Sequence, residues 1–229
     1  MALDPGQRYI VEVLCSGNNG RSPIAETIGN HSVSSQHDLV GKIQVVSSGV
    51  NVDAPMTFER AQRFIRLADK AQREGSVLVL NALQMRFIGL FLENPQQESY
   101  SSNEVYRTEV NTIAQISRTV LQVMDATLRN AVLGELGLRF QGEKRQTVAR
   151  PDVHLVLGMD RAVTERARQI YEENYVPVYS LMEYVGLEHH VTDGIEDISL
   201  RTYQVMRDFL KDGMTKALDR FAKEVRLRS

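Results

Sequence analysis

The sequence predicts an α/β protein built on a four-stranded parallel β-sheet, with a helical segment inserted into it. Three observations carry that expectation. Short runs rich in β-branched residues alternate with longer stretches of helical periodicity. The first such run passes through a turn containing Gly and Asn straight into a helix start. One stretch, at about 76–136, breaks the alternation with helical pattern alone. Strands separated by helices imply parallel neighbours joined by right-handed crossovers.

In chain order, Tyr9-Ile10-Val11-Glu12-Val13-Leu14 reads as a buried first strand. Ser22-Pro23 has the pattern of an N-cap followed by proline at the first helical position, and Ile24, Ala25, Ile28 and Gly29 then repeat at helical spacing. Lys42 to Ser47 predicts a second strand, Val153 to Met159 a third, and Tyr175 to Tyr179 a short fourth. Helices are expected over Phe58 to Arg73, Arg161 to Tyr171, and Ser199 to about Val225. Within the interruption, Val77 to Leu92 is nearly all apolar. Glu104 to Leu136 carries the stripe Val110, Ile113, Ile116, Val120, Leu121, Met124 and Leu128. A polar loop, Asn94 to Asn103, lies between them, so the segment reads as a helical hairpin. Its stripe is core or hairpin interface, or else the surface of a homodimer.

With 229 residues, 42% hydrophobic and 24% charged, the chain is expected to form one domain over 1–229 carrying that insertion. A net charge of -2 gives no basic field for a nucleic-acid backbone, which removes nucleic acid from the expected partners. The start, Met1 to Arg8, lacks a basic stretch followed by an apolar one, and no run is long enough to span a membrane. A cytoplasmic protein without a membrane partner is expected. The single cysteine cannot form an intrachain disulfide, and no Cys and His cluster has zinc-ligand spacing, so neither metal nor cofactor is expected. Cys15 is then buried filler, as composition alone favours, or a reactive thiol.

Its surroundings favour the thiol. A thiol attacks as thiolate, and free cysteine ionises only near pH 8.5, so a reactive site must favour sulfur's charged form. In Cys15-Ser16-Gly17-Asn18-Asn19-Gly20-Arg21-Ser22 the loop between strand end and helix start can curl its N–H groups into an anion-binding nest along the helix dipole. Gly17 and Gly20 permit the positive φ such a nest needs, and Asn18 also tolerates a left-handed conformation. Arg21 offers a planar fork to two oxygens of a phosphate, and Ser22 can donate its hydroxyl to the thiolate.

These residues resemble the loop Cys-x-Gly-Asn-x-x-Arg-Ser-Pro and following Ala-Glu of the low-molecular-weight protein tyrosine phosphatase family, matched here from Cys15 through Glu26. Val46-Ser47-Ser48-Gly49 is similar to that family's second strand ending in Ser-Ala-Gly, and Leu155 through Asp160 to its third strand ending in Met-Asp. Leu181-Met182-Glu183-Tyr184 ahead of Val191-Thr192-Asp193 looks like the approach to its general-acid loop. The resemblance covers roughly 8–75 and 138–225.

The resemblance implies a three-layer flavodoxin-like fold and metal-free hydrolysis of phosphomonoesters through a phosphocysteine. It implies Cys15 as nucleophile, Arg21 as phosphate clamp, and Ser22 as thiolate donor. Asn18 would hold the loop's shape, while Ser16, Gly17, Asn19 and Gly20 complete the phosphate-binding ring. Asp193 is the implied general acid, with Asp197 in the same loop as the alternative. The chain departs from the family where Gly194 follows Asp193 instead of proline, and where Gly20 replaces a second loop cysteine. Ile195 and Glu196 stand where aromatic residues often flank a phosphotyrosine ring. The implied substrate is a phosphorylated protein or a small phosphomonoester. Arsenate reduction with an external thiol and a non-catalytic phosphate-binding module are the competing readings. His189-His190 reads as exposed polar loop, and Asp160 either faces the site or caps the following helix.

Overall fold

The computed structural model describes residues 7–75, 81–187, 191 and 199–228. They form two compact units: residues 7–53, 128–187, 191 and 199–228 make the first, and 54–75 with 81–127 the second. The second therefore begins and ends earlier than the segment 76–136 that the periodicity singled out.

The first unit is a three-layer sandwich. Its strands are β1 (Tyr9–Cys15), β2 (Ile43–Gly49), β3 (Val153–Gly158) and β4 (Val178–Ser180), all parallel, in the order β2-β1-β3-β4. β1 is central and buried along its whole length, which explains why it reads as a nearly continuous apolar run. Its alternate residues serve two cores. Tyr9, Val11, Val13 and Cys15 face α1 (Arg21–Ser34) and the long terminal helix, while Ile10 and Leu14 join the cluster with Val163, Ala167 and Tyr171.

The fourth strand starts at Val178, three positions later than the expected start. Tyr175 sits in a left-handed conformation (φ 53°) closing a 3-10 turn over Glu172–Asn174, and Pro177 follows it, so the chain cannot enter the sheet before Val178.

The second unit is helical. α2 (Phe58–Arg73), α3 (Ala82–Glu93), α4 (Gln97–Ser102) and the first part of α5 (Glu104–Gly134) gather Phe58, Ala61, Ile65, Ile88, Phe91, Tyr100, Val110, Ile113 and Ala114 into one core. A short helix, α4, thus occupies part of the stretch expected as polar loop. Tyr100 accounts for it: the ring is buried among these residues and its hydroxyl donates to Asn111 Oδ1 at 2.7 Å. Val77 to Leu80 lie outside the described residues. The last turns of α5, from Leu128, belong with the first unit, where Val132 and Leu133 join the core beneath α1 and the C-terminal helix. Beyond α5, the first unit adds α6 (Arg161–Tyr171), α7 (Leu181–Tyr184) and α8 (Leu200–Arg228).

Candidate active site

Cys15 is the last residue of β1, so it stands at the carboxyl edge of the parallel sheet, where strand ends open into loops free to bind ligand. The loop 16–20 then returns to start α1 at Arg21. Cys15 is buried (4% exposed), yet its sulfur is not packed as mere filler. Sγ accepts hydrogen bonds from the Asn18 N–H at 3.2 Å and the Ser22 hydroxyl at 3.0 Å. Both donors are directed at the sulfur, and hydrogen bonds to an ionised acceptor are the stronger kind. The Ser22 oxygen also lies 3.0 Å from Asn18 Oδ1 and 3.2 Å from the Ser48 carbonyl, so its one proton chooses among three acceptors. A charged sulfur is the strongest of them.

The helix starts one residue before the expected N-cap. Gly20 is the capping position, no side chain caps the helix, and Ser22 lies inside the first turn. The reason is chemical: the hydroxyl that could have capped backbone N–H groups is directed at sulfur, which leaves those N–H groups for an anion. The positive φ of the loop is carried by Asn18 (51°), and neither Gly17 nor Gly20 adopts one. Asn18 can hold it because its side chain is tied on both sides, Nδ2 donating to the Glu143 carbonyl at 3.3 Å and Oδ1 facing Ser22.

The loop is also braced from β2. Its first two carbonyls are held outward, Cys15 O by the Val50 N–H at 3.1 Å and Ser16 O by the Asn51 N–H at 2.9 Å. Gly49 allows that approach. A Cβ there would sit 2.8 Å from the Asn18 nitrogen and 2.9 Å from the Ser16 oxygen, both backbone atoms that cannot rotate away. Gly49→Ala should therefore displace the loop, lowering kcat/KM at least about tenfold and stability by about 1–3 kcal/mol. Steady-state assay and thermal melting check this, and wild-type kinetics would disprove the bracing.

Arg21 is 4% exposed, and its Nη1 donates to Asp160 Oδ2 at 2.8 Å and to the Val191 carbonyl at 3.2 Å. Asp160 follows β3 and fills both roles weighed for it. Oδ1 caps α6 by accepting from the Val163 N–H at 2.8 Å, while Oδ2 holds Arg21 over the loop. A buried guanidinium needs such a partner.

Behind the loop, two carboxylates anchor the frame. Glu26 accepts from the Ser47 hydroxyl, fastening α1 to β2. Burial pushes its carboxyl above the ordinary range, against the opposing effects of the Ser47 hydrogen bond and the Arg145 charge. Glu12, in the middle of β1 and 1% exposed, accepts from Ser48 Oγ at 2.6 Å and from the Tyr171 hydroxyl. Ser48 in turn meets Thr147 Oγ1 at 2.8 Å, and burial beside Glu12 raises the Tyr171 hydroxyl far above its usual value, keeping it a donor. The spacing within β1 had no signal for this network beyond a lone acid in an apolar strand.

Among the sequence-predicted site residues, the structure brings Cys15, Ser16, Gly17, Asn18, Asn19, Gly20, Arg21 and Ser22 into one loop and helix start. Asp193, Asp197 and His189-His190 lie outside the described residues. Among the described residues, no three His, Cys, Asp or Glu side chains cluster to hold a metal, and no helix is long and apolar enough to cross a membrane. The site can thus hold a nucleophilic sulfur beside a cationic fork, beneath a loop of backbone donors. That arrangement suits a tetrahedral oxyanion.

The sequence matches no protein-family model and no curated protein. Solved structures do match. YfkJ from Bacillus subtilis superposes with a TM-score of 0.56 at 18% identity, covering 96% of this chain and 99% of its own. The YwlE arginine phosphatase from Geobacillus stearothermophilus gives 0.54 at 14%, covering 96% and 94%. The low-molecular-weight protein tyrosine phosphatase from T. tengcongensis gives 0.54 at 17%, covering 93% and 99%. These likenesses establish the fold: the four-stranded parallel sheet and its flanking helices have the flavodoxin-like arrangement of the low-molecular-weight phosphatases.

Proposed function

We propose that the chain is a phosphomonoester hydrolase that acts through a phosphocysteine on Cys15. The observation that carries this is the sulfur itself, held at the mouth of the β1–α1 loop by the Asn18 N–H and the Ser22 hydroxyl, next to the buried Arg21. A purely structural cysteine needs no such donors, and a binding module needs no nucleophile. In the first step the thiolate attacks phosphorus, the P–S bond forms and the P–O bond to the leaving group breaks. The leaving oxygen takes a proton from Asp193. In the second step Asp193, now a carboxylate, takes a proton from water as its oxygen attacks phosphorus. The P–S bond breaks, releasing inorganic phosphate and the thiolate. Arg21 and the loop N–H groups stabilise the equatorial oxygens throughout.

An arginine phosphatase and a protein tyrosine phosphatase stand among the similar structures, so the panel starts with phosphotyrosine and small phosphomonoesters and adds phosphoarginine, in which a P–N bond would break instead; arsenate is assayed separately, for reduction with an external thiol. The second unit is proposed as an insertion into the phosphatase domain, and the protein as cytoplasmic. The stripe on α5 that suggested a homodimer is spent partly inside the second unit's own core, with Val110 and Ile113 buried there.

The acid is tested by leaving-group dependence. A positioned carboxylic acid contributes about 10²–10⁴-fold when the leaving group is poor. Asp193→Ala should reduce turnover by that order for alkyl or weakly acidic phenyl phosphates and little for a nitrophenyl phosphate. It should also abolish the alkaline fall in the pH-rate profile, which reports loss of the acid's proton. If Asp197→Ala shows this behaviour instead, the acid is Asp197. If no phosphate is released from any member of the panel by the wild-type chain, the proposed function is wrong.

A further inference from the structure

The loop presents its N–H groups only if each peptide is turned the right way. Across a trans peptide the carbonyl of one residue and the N–H of the next point to opposite sides, so anchoring a carbonyl outward turns the following N–H inward. Cys15 O and Ser16 O are anchored by backbone N–H groups of Val50 and Asn51, and Gly20 O by the Ile24 N–H at 3.1 Å within α1. These anchors serve the N–H groups of Ser16, Gly17 and Arg21. The Asn19 carbonyl is held differently, by a side chain: Arg129 Nη1 donates to it at 2.9 Å. Arg129 stands on the last part of α5. Its guanidinium lies over the Phe140 ring, 4.6 Å from the centroid, and its Nε donates to Asn130 Oδ1 at 3.2 Å. The fork is thus fixed in plane and direction, as a single ammonium could not be.

We propose that Arg129 is a positioning residue for the oxyanion cradle. By holding the Asn19 carbonyl outward it fixes the Asn19–Gly20 peptide, so that the Gly20 N–H faces the bound phosphoryl group. The hold matters here because a peptide leading into glycine, with no Cβ to restrict it, turns over easily. The inference rests on reading the loop as a phosphate cradle, and it assigns Arg129 no contact with substrate.

Three readouts test it. In wild-type protein, adding inorganic phosphate should shift the Gly20 amide resonance in an ¹⁵N–¹H spectrum. In Arg129→Ala that shift should shrink sharply while the Gly17 amide still responds. Inhibition by orthovanadate, which mimics the five-coordinate transition state, should weaken about tenfold, and kcat should fall by a similar factor with KM changed far less. Arg129→Lys retains the aliphatic stem and the charge, and should recover part of the vanadate affinity because one donor can still reach the carbonyl. Unchanged vanadate inhibition and an unchanged Gly20 response in Arg129→Ala, or in the donor-free Arg129→Met should the alanine variant fail to fold, would overturn the proposal. Because the amide response to phosphate needs no turnover, it separates this inference from the hydrolase reading. A wild-type chain that binds phosphate without hydrolysing any ester would refute the latter and leave Arg129 testable.

Discussion

Cys15→Ser should abolish phosphate release from an aryl phosphate, by about 10⁴-fold or more, while the protein still binds inorganic phosphate. The two halves of this outcome have separate causes. A serine hydroxyl is not ionised at neutral pH, and among the described residues the groups hydrogen-bonded to this side chain are donors. The Asn18 N–H at 3.2 Å and the Ser22 hydroxyl at 3.0 Å donate to Sγ, and neither group would take the proton of a serine hydroxyl placed there. The backbone ring is untouched by the change, since the Cys15 carbonyl stays tied to Val50. Isothermal titration with phosphate and a phosphate-release assay measure the two halves. Turnover near the wild-type rate would eliminate the covalent mechanism. Loss of phosphate binding would instead show that the sulfur itself organises the loop.

Arg21→Lys should cost about 10²–10³-fold in kcat/KM, the loss associated with removing one oriented donor from an oxyanion site. The position has no slack for a substitute. Arg21 is buried, and Asp160 Oδ2 at 2.8 Å and the Val191 carbonyl at 3.2 Å hold one of its nitrogens, orienting the plane of the fork. A lysine ammonium is a point charge on a flexible stem. In that pocket it would pair with Asp160 and stop there, giving phosphate no planar, two-pronged contact. Melting should change little, because the half-buried Asp160 carboxylate keeps a cationic partner. Steady-state kinetics on a nitrophenyl phosphate decide the point, and near-normal kcat/KM would show that the clamp lies elsewhere.

The sequence alone was enough for the succession of strands and helices along the first unit and for the loop from Cys15 to Ser22, while the order of strands in the sheet came from the structure. Those features are written in short-range patterns. A run buried on both faces is apolar throughout, a helix repeats about every 3.6 residues, and a tight anion-binding turn needs Gly and Asn between a strand end and a helix start. Even there, local rules misjudged details in which two demands compete. Ser22-Pro23 has the pattern of a helix cap, but the hydroxyl is claimed by sulfur. Gly17 and Gly20 offer positive φ, but Asn18, anchored by Glu143 and Ser22, takes it. Tertiary structure decided everything that depends on meetings between distant segments. Asp160 reaches Arg21 across 139 positions, Arg129 reaches the Asn19 carbonyl across 110, and Tyr171 reaches Glu12 across 159. Spacing cannot reveal such pairs. An aspartate after a strand, an arginine on a helix and an acid within a strand each look ordinary until the chain path sets a partner against a buried polar group that must be satisfied.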